Sequence, residues 1–454
     1  MPHAAKLHAV TASIALTTAG TAARAQPLFE ITAYWPDLLT NQAGFDADID
    51  GGILVVGAPF DADLGPAAGA AFLIDTTTGQ TIKLLPPGVD AGDQFGSAVA
   101  IDGGRAIVGA RYDDDLGVNT GAAYVFDAAT GVLLRTLQPN QPNTEFGDAV
   151  DVDGDFAVIG ARVINAGGSA FVYNLNTGDL IHSFPKRGLF GFDEMGDAVA
   201  IDSDAGLVAV GAPGEYVSGL EARIGAVHLF DLTTGAFIRS FLAGDPEAFA
   251  DFGASVAIRG DRLLVGAPLD DNPNVDAGAA YLFDLTTGNQ ITKLTVETTP
   301  NPNQFAQLGC DVELTDTLAI VGNRAYYRDF FSGAGAAFVY DATDGALVAR
   351  LLPEVPGFGD AFGAGVGIDG STAVVGSPGD APPAGLGGTG AVYLYQLPCP
   401  PDLAAPAGVL DIFDLLEYLA LFSASDPKAD IAPPAGTFDF FDVLEYLARF
   451  SAGC

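Results

Sequence analysis

The sequence predicts an all-β fold, a seven-bladed β-propeller of four-stranded antiparallel blades, followed by a small α-helical module. Three observations predict it. One phrase recurs seven times at nearly constant spacing, each copy holds four strand-like runs, and the language changes after about residue 397.

The first residues read as an export signal. "MPHAAKLH" carries Lys6, "AVTASIALTTAGTA" is a weakly apolar run, and Ala23-Arg24-Ala25 offers small residues for cleavage before Gln26. The run is too short and too polar for a membrane anchor. Residues 1–25 are therefore expected to be removed, leaving a secreted or cell-surface protein with no transmembrane segment. The formal charge of −38 excludes general affinity for nucleic acid or anionic lipid, which are themselves negative. It favours cations, cationic surfaces or simple solubility.

The repeat is clearest at a Gly-Ala-Pro element. Gly57, Gly109, Gly160, Gly211, Gly266, Gly322 and Gly376 each open one copy, 51 to 56 residues apart. A second phrase keeps step, from "GAAFLIDTTTG" at Gly69 through "GAAYVFDAATG" at Gly121 to "GAVYLYQ" at Gly390. In the second copy the four strands are "SAVAID", "AIVGA", "AAYVFD" and "VLLRTLQ", joined pairwise by the short glycine turns "GGR" and "AATG". "AIVGA" and "AAYVF" lack polar alternation, so both faces must be covered. Side-chain size also grows along the unit, from Gly, Ala and Val to Tyr and Phe. Sheets crowded at an axis and splayed outside it need that gradient; a stacked solenoid does not.

The seventh copy ends without a fourth strand, and Leu28 to Trp35 is an orphan resembling one. The N-terminal segment is therefore expected to complete the last blade and close the ring within one chain, as a monomer, over residues 26–397.

"FG…VGAP…GAAYVFD" resembles the FG-GAP repeat, found in secreted bacterial propellers and, more distantly, in the head of integrin α chains. The resemblance covers about residues 27–397 and implies extracellular binding or adhesion, with no catalytic residues. It also raises a calcium loop. Asp46, Asp48, Asp50 and Gly51 match its first half, but Leu54 stands where the last carboxylate belongs. Calcium needs six or more oxygens, and aspartates alternating on a strand and at its turn are the other reading.

Four antiparallel strands put both tight hairpins on one rim and the longer connections on the opposite face. Asp61, Asp63, Asp113, Asp114, Asp115, Asp270, Asp271 and Asp276 fall in those longer loops. They read either as solvated turn residues or as an acidic face for a cation-bridged or basic ligand, an extracellular protein or a glycan.

Residues 398–454 contain a duplication, "DLAAPAGVLDIFDLLEYLALFSA" and "DIAPPAGTFDFFDVLEYLARFSAGC", each a loop followed by an amphipathic helix. The pattern looks like a dockerin, in the variant ending in Gly-Cys, which implies attachment to a cohesin-like or envelope partner. Asp402, Asp411 and Asp414, with Asp430, Asp439 and Asp442, remain as calcium ligands, while Ala404, Pro406, Ala432 and Pro434 depart from the calcium loop. Cys399 and Cys454 bracket the module and read as a disulfide in an oxidising compartment; Cys310 stands alone in a strand.

The function expected is an exported, non-enzymatic binding or adhesion protein that requires no cofactor, with calcium as the candidate ion. The alternative is a carbohydrate-active enzyme or an accessory carbohydrate-binding subunit on a propeller scaffold. Against an enzyme, the chain beyond the signal has only His182 and His228, and His228 replaces the tyrosine of sister strands.

Overall fold

The computed structural model describes residues 31–34 and 42–397, apart from 140–142, 164–166, 188–192, 218–219, 221, 272–274, 297–305, 327–331, 354 and 382–388. Residues 1–25, expected to be an export signal, and the duplicated tail, with Cys399, Cys454 and the six tail aspartates, lie outside the described residues.

Seven four-stranded antiparallel sheets are arranged as the blades of a propeller. Blade 2 is typical: Phe95–Asp102 innermost, then Arg105–Ala110, Ala122–Asp127 and Leu133–Leu137 outermost. The seventh sheet takes Val366–Asp369, Thr372–Ser377 and Ala391–Gln396 from the end of the ring and Ile31–Tyr34 from its start. Ile31 pairs with Tyr395 and Tyr34 with Val392. Blade 4 adds a small hairpin, Tyr216–Val217 with Ala222–Arg223, between its second and third strands.

The core is not one centre but a set of wedges between blades. Seven apolar clusters are found among the described residues, and each mixes residues of two neighbouring blades. Phe95, Phe146, Met195, Phe252, Leu308 and Phe362 plug these wedges, all essentially inaccessible. Phe95 packs edge-on to Tyr124 at 5.4 Å, and Phe252 to Tyr281 at the same distance.

Next to each plug lies the tightest contact in the ring. A β-carbon on Gly109 would stand 2.0 Å from the Gly147 carbonyl oxygen, and one on Gly376 would stand 2.2 Å from that of Gly44. The same approach recurs at every blade junction, so both repeated glycines exist to let two backbones meet. Parallel bridges such as Gly69 to Phe95 and Ala43 to Gly390 tie the blades at the same level.

The outer hairpins explain the "D-x-x-T-G" phrase. Asp127 accepts hydrogen bonds from the Thr130 amide and hydroxyl, at 2.8 and 2.6 Å, and the Gly131 amide donates to the Asp127 carbonyl. Asp231 and Asp284 repeat the motif. These bonds hold the turn carboxyls of Asp75, Asp127, Asp231 and Asp284 below the usual carboxylate range.

Candidate functional site

Two regions carry chemistry: the axial channel and the loop face. The innermost strands of all seven blades line a channel of about 1130 Å³. Each is an edge strand, so some of its amides have no ladder partner. Carboxylates from the preceding blade supply one. Asp46 accepts from Val99 at 2.7 Å, Asp48 from Ile101 at 2.9 Å, Asp151 from Ile201 at 2.8 Å and Asp311 from Val366 at 2.7 Å.

At the hairpin end the pattern continues with Asp102 to the Gly154 amide, Asp202 to Gly260 and Asp369 to Gly51. Between blades 5 and 6, Arg259 instead donates to Asp316 at 3.0 Å. At the loop end, Asp148 bridges Arg111 and Arg162, and Arg162 also reaches Glu145 and Asp197. Cys310 lines this channel and donates to the Gly363 carbonyl; burial pushes its thiol up to about 11.

This places Asp46, Asp48 and Asp50 differently from a calcium loop. Asp48 and Asp50 lie on the strand Ala47–Asp50, and the oxygens of Asp46 and Asp48 are taken up by backbone amides. Among the described residues they join no group of three acids that could hold an ion.

Burial raises the channel acids. Asp46 is pushed up to about 6 and Asp48 to about 7, with Asp151, Asp311 and Glu313 also well above the usual range. Asp93 and Asp197 are pushed up to about 7 by burial and neighbouring carboxylates. A raised acid stabilises the fold while it holds its proton, and that contribution is lost as pH climbs through the folded value. The turn aspartates act oppositely, losing their contribution only as pH falls below about 4. The melting temperature is therefore expected to peak near pH 4 and to fall from there to about pH 7. Calorimetry across that range checks this, and Asp48→Asn with Asp197→Asn should flatten the slope.

The loop face holds the acidic residues anticipated from sequence, at two depths. Asp61, Asp113 and Asp270 are almost inaccessible. Asp113 accepts from the Tyr124 hydroxyl at 2.6 Å, and Asp270 from that of Tyr281 at 2.6 Å and from Lys293 at 2.9 Å. Lys83 reaches both Asp61 and Asp63, at 2.7 and 2.8 Å. Asp380 repeats the contact with the Tyr393 hydroxyl. These acids pin each long loop to its own third or fourth strand. Asp63, Asp114, Asp115 and Asp271 are exposed, and Asp276 is half-buried.

One cluster was not legible as such. Asp90, Asp93 and Asp114 bring carboxylate oxygens within 4.8 Å of one another. Asp114 comes from the long loop of blade 2; Asp90 and Asp93 come from the connection entering that blade. Asp93 is buried and accepts from the Asp90 amide at 2.8 Å. A recess lined by Asp93, Asp114, Asn119 and Glu145 adjoins them. The repeat phase held a signal, since an acid two residues before the plug recurs as Asp93, Asp193 and Asp360.

Blade 4 departs from its sisters. Where blades 2, 5 and 7 pair a loop aspartate with tyrosine, it has Glu215 and His228. Nε2 of His228 lies 2.6 Å from Glu215, and Nδ1 lies 2.8 Å from the Ser240 hydroxyl. His228 is buried and stands between these two polar partners.

Three segments, residues 78–126, 237–283 and 346–395, match the family model described as FG-GAP repeat. Comparison with curated proteins finds no match. The chain carries FG-GAP repeats in these three segments, and they lie within the seven-bladed ring. Each matched segment runs from the outer hairpin or fourth strand of one blade to the third strand of the next. The sequence repeat thus straddles a blade junction, where the repeated glycines meet.

Proposed function

We propose that this is an exported binding or adhesion protein whose acidic loop face takes a ligand through a bridging cation, with the tail as its attachment. The convergence of Asp90, Asp93 and Asp114 carries this reading. Three carboxylates from two loops fit a hard cation such as calcium, which takes oxygen ligands and tolerates irregular geometry. They leave positions that an acidic or hydroxyl-rich ligand could fill. No catalytic step is needed for that role.

The polarity of the ring supports the division of labour. Leu397 donates to the carbonyl of Ser371 in a hairpin turn, and Ile31 pairs beside it at Tyr395. Both ends of the ring therefore leave from the hairpin rim, opposite the loop face. A tail anchored to an envelope or a cohesin-like partner would hold the loop face outward.

The test is calcium titration of the full chain by calorimetry, followed by probing extracellular glycans and proteins with and without chelator. Wild type should bind calcium and retain a ligand that chelator releases, while Asp114→Asn weakens calcium binding roughly tenfold or more. Calcium binding unaltered by Asp114→Asn, or retention indifferent to chelator, defeats the cation-bridged reading.

A further inference from the structure

We propose that Ser240, His228 and Glu215 form an acyl-transfer relay on the outer half of blade 4, acting on small, activated carboxylic esters at an open surface site. This inference is independent of the cation-bridged reading.

The geometry comes from strand register. His228 on Ala226–Asp231 is paired directly with Ser240 on Phe237–Phe241, so their side chains stand on the same face of the sheet. Glu215 reaches the other side of the ring from the long loop. A carboxylate only accepts, so the proton of the neutral imidazole resides on Nε2 facing Glu215, at 2.6 Å. The Nδ1 lone pair then faces the Ser240 hydroxyl at 2.8 Å. Nucleophile, base and orienting acid are in hydrogen-bonded order, the arrangement that activates a serine.

Accessibility is graded in the same order. Ser240 is exposed, Glu215 is partly covered, and His228 is only 1% exposed. The hydroxyl can meet a solute while the imidazole stays fixed. Asp193 is buried in the same neighbourhood, with neither oxygen hydrogen-bonded. It lies within electrostatic reach of His228.

Sister blades show that pinning the loop does not require this chemistry. Asp113 with Tyr124, Asp270 with Tyr281 and Asp380 with Tyr393 fasten the same loop using an aspartate and a phenol. The partners of those tyrosines on the fourth strand are Thr136, Lys293 and Ala33. Blade 4 replaces all three positions together, and the replacements are an acid, a base and a nucleophile.

In the reaction, Ser240 Oγ attacks the ester carbonyl carbon as its proton passes to Nδ1 of His228. The C–O bond to the alcohol breaks, and the imidazolium returns the proton to the departing alkoxide. Water, deprotonated by His228, then attacks the acyl-serine, releasing the carboxylic acid and restoring the Ser240 hydroxyl. Ser240 and His228 are the catalytic residues; Glu215 is a positioning residue.

The decisive variant is His228→Tyr, which rebuilds the phenol–carboxylate contact of the sister blades but supplies no base. The full chain is treated with a fluorophosphonate probe, and the modified peptide is mapped by mass spectrometry. The expected result is an adduct on Ser240, formed roughly 100-fold or more faster than in His228→Tyr, at unchanged melting temperature. Hydrolysis of p-nitrophenyl acetate should fall in parallel in Ser240→Ala. Absence of a Ser240 adduct, or a labelling rate unaffected by His228→Tyr, overturns the proposal.

Discussion

Gly109→Ala is expected to destabilise the ring by about 3–5 kcal/mol, near the upper end for a single methyl group. The new carbon would lie 2.0 Å from the Gly147 carbonyl oxygen and 3.0 Å from its carbon. Backbone on backbone has no rotamer to yield, so the wedge between blades 2 and 3 must open. Gly103→Ala is the control. Gly103 has φ of +55° in a hairpin turn, with nothing within 4 Å of the added carbon. Its cost is conformational only, about 1–2 kcal/mol. Denaturant unfolding of both variants separates the two effects. Equal costs would show that close approach is not what demands the repeated glycine.

Deleting Leu28 to Trp35 is expected to have an effect of similar size by a different route. The strand Ile31–Tyr34 pairs along the whole of its length with Val392–Tyr395. Each ladder hydrogen bond lost costs about 1 kcal/mol, and the bared strand Ala391–Gln396 becomes an open edge that invites association. The truncated protein should melt lower and oligomerise with concentration, and a synthetic peptide of the deleted segment should reverse both changes. Unchanged melting in a monodisperse sample would mean that the ring does not depend on this latch. The junction at Gly44 and Gly376 survives the deletion, so blade 1 stays seated and the loss reports on the fourth strand alone.

The fold was legible because every element of it is local and repeated. Gly57 to Gly376 mark seven copies, "GGR" and "AATG" mark the two hairpins of a blade, and the rise from Ala and Val to Tyr and Phe marks the radial direction. Each signal lies within about ten residues of the structure it encodes, and seven copies average out the noise of any one. Even the missing fourth strand of the last copy, answered by an orphan at the start, was a statement about chain order.

The chemistry was not legible in that way, because it is made across blades. Asp46 and Asp48 look like the first half of a calcium loop in sequence. In the folded ring their oxygens are met by the Val99 and Ile101 amides, 53 residues along the chain. Asp61, Asp113 and Asp270 look like solvated loop acids, yet Lys83, Tyr124 and Tyr281 draw them under the surface. Asp90 and Asp114 are 24 positions apart and become neighbours only when the entering connection folds against the long loop of blade 2.

What the sequence determined by itself is the number of blades, their strand order and the place where the ring closes. Those follow from turn chemistry, apolar runs and spacing, all of which act over short stretches of chain. Only the tertiary structure decided which carboxylates stay open to a ligand and which are consumed in stitching blades together. Hydrogen bonding and burial set that division, and both depend on what an adjacent blade presents, which no single repeat contains.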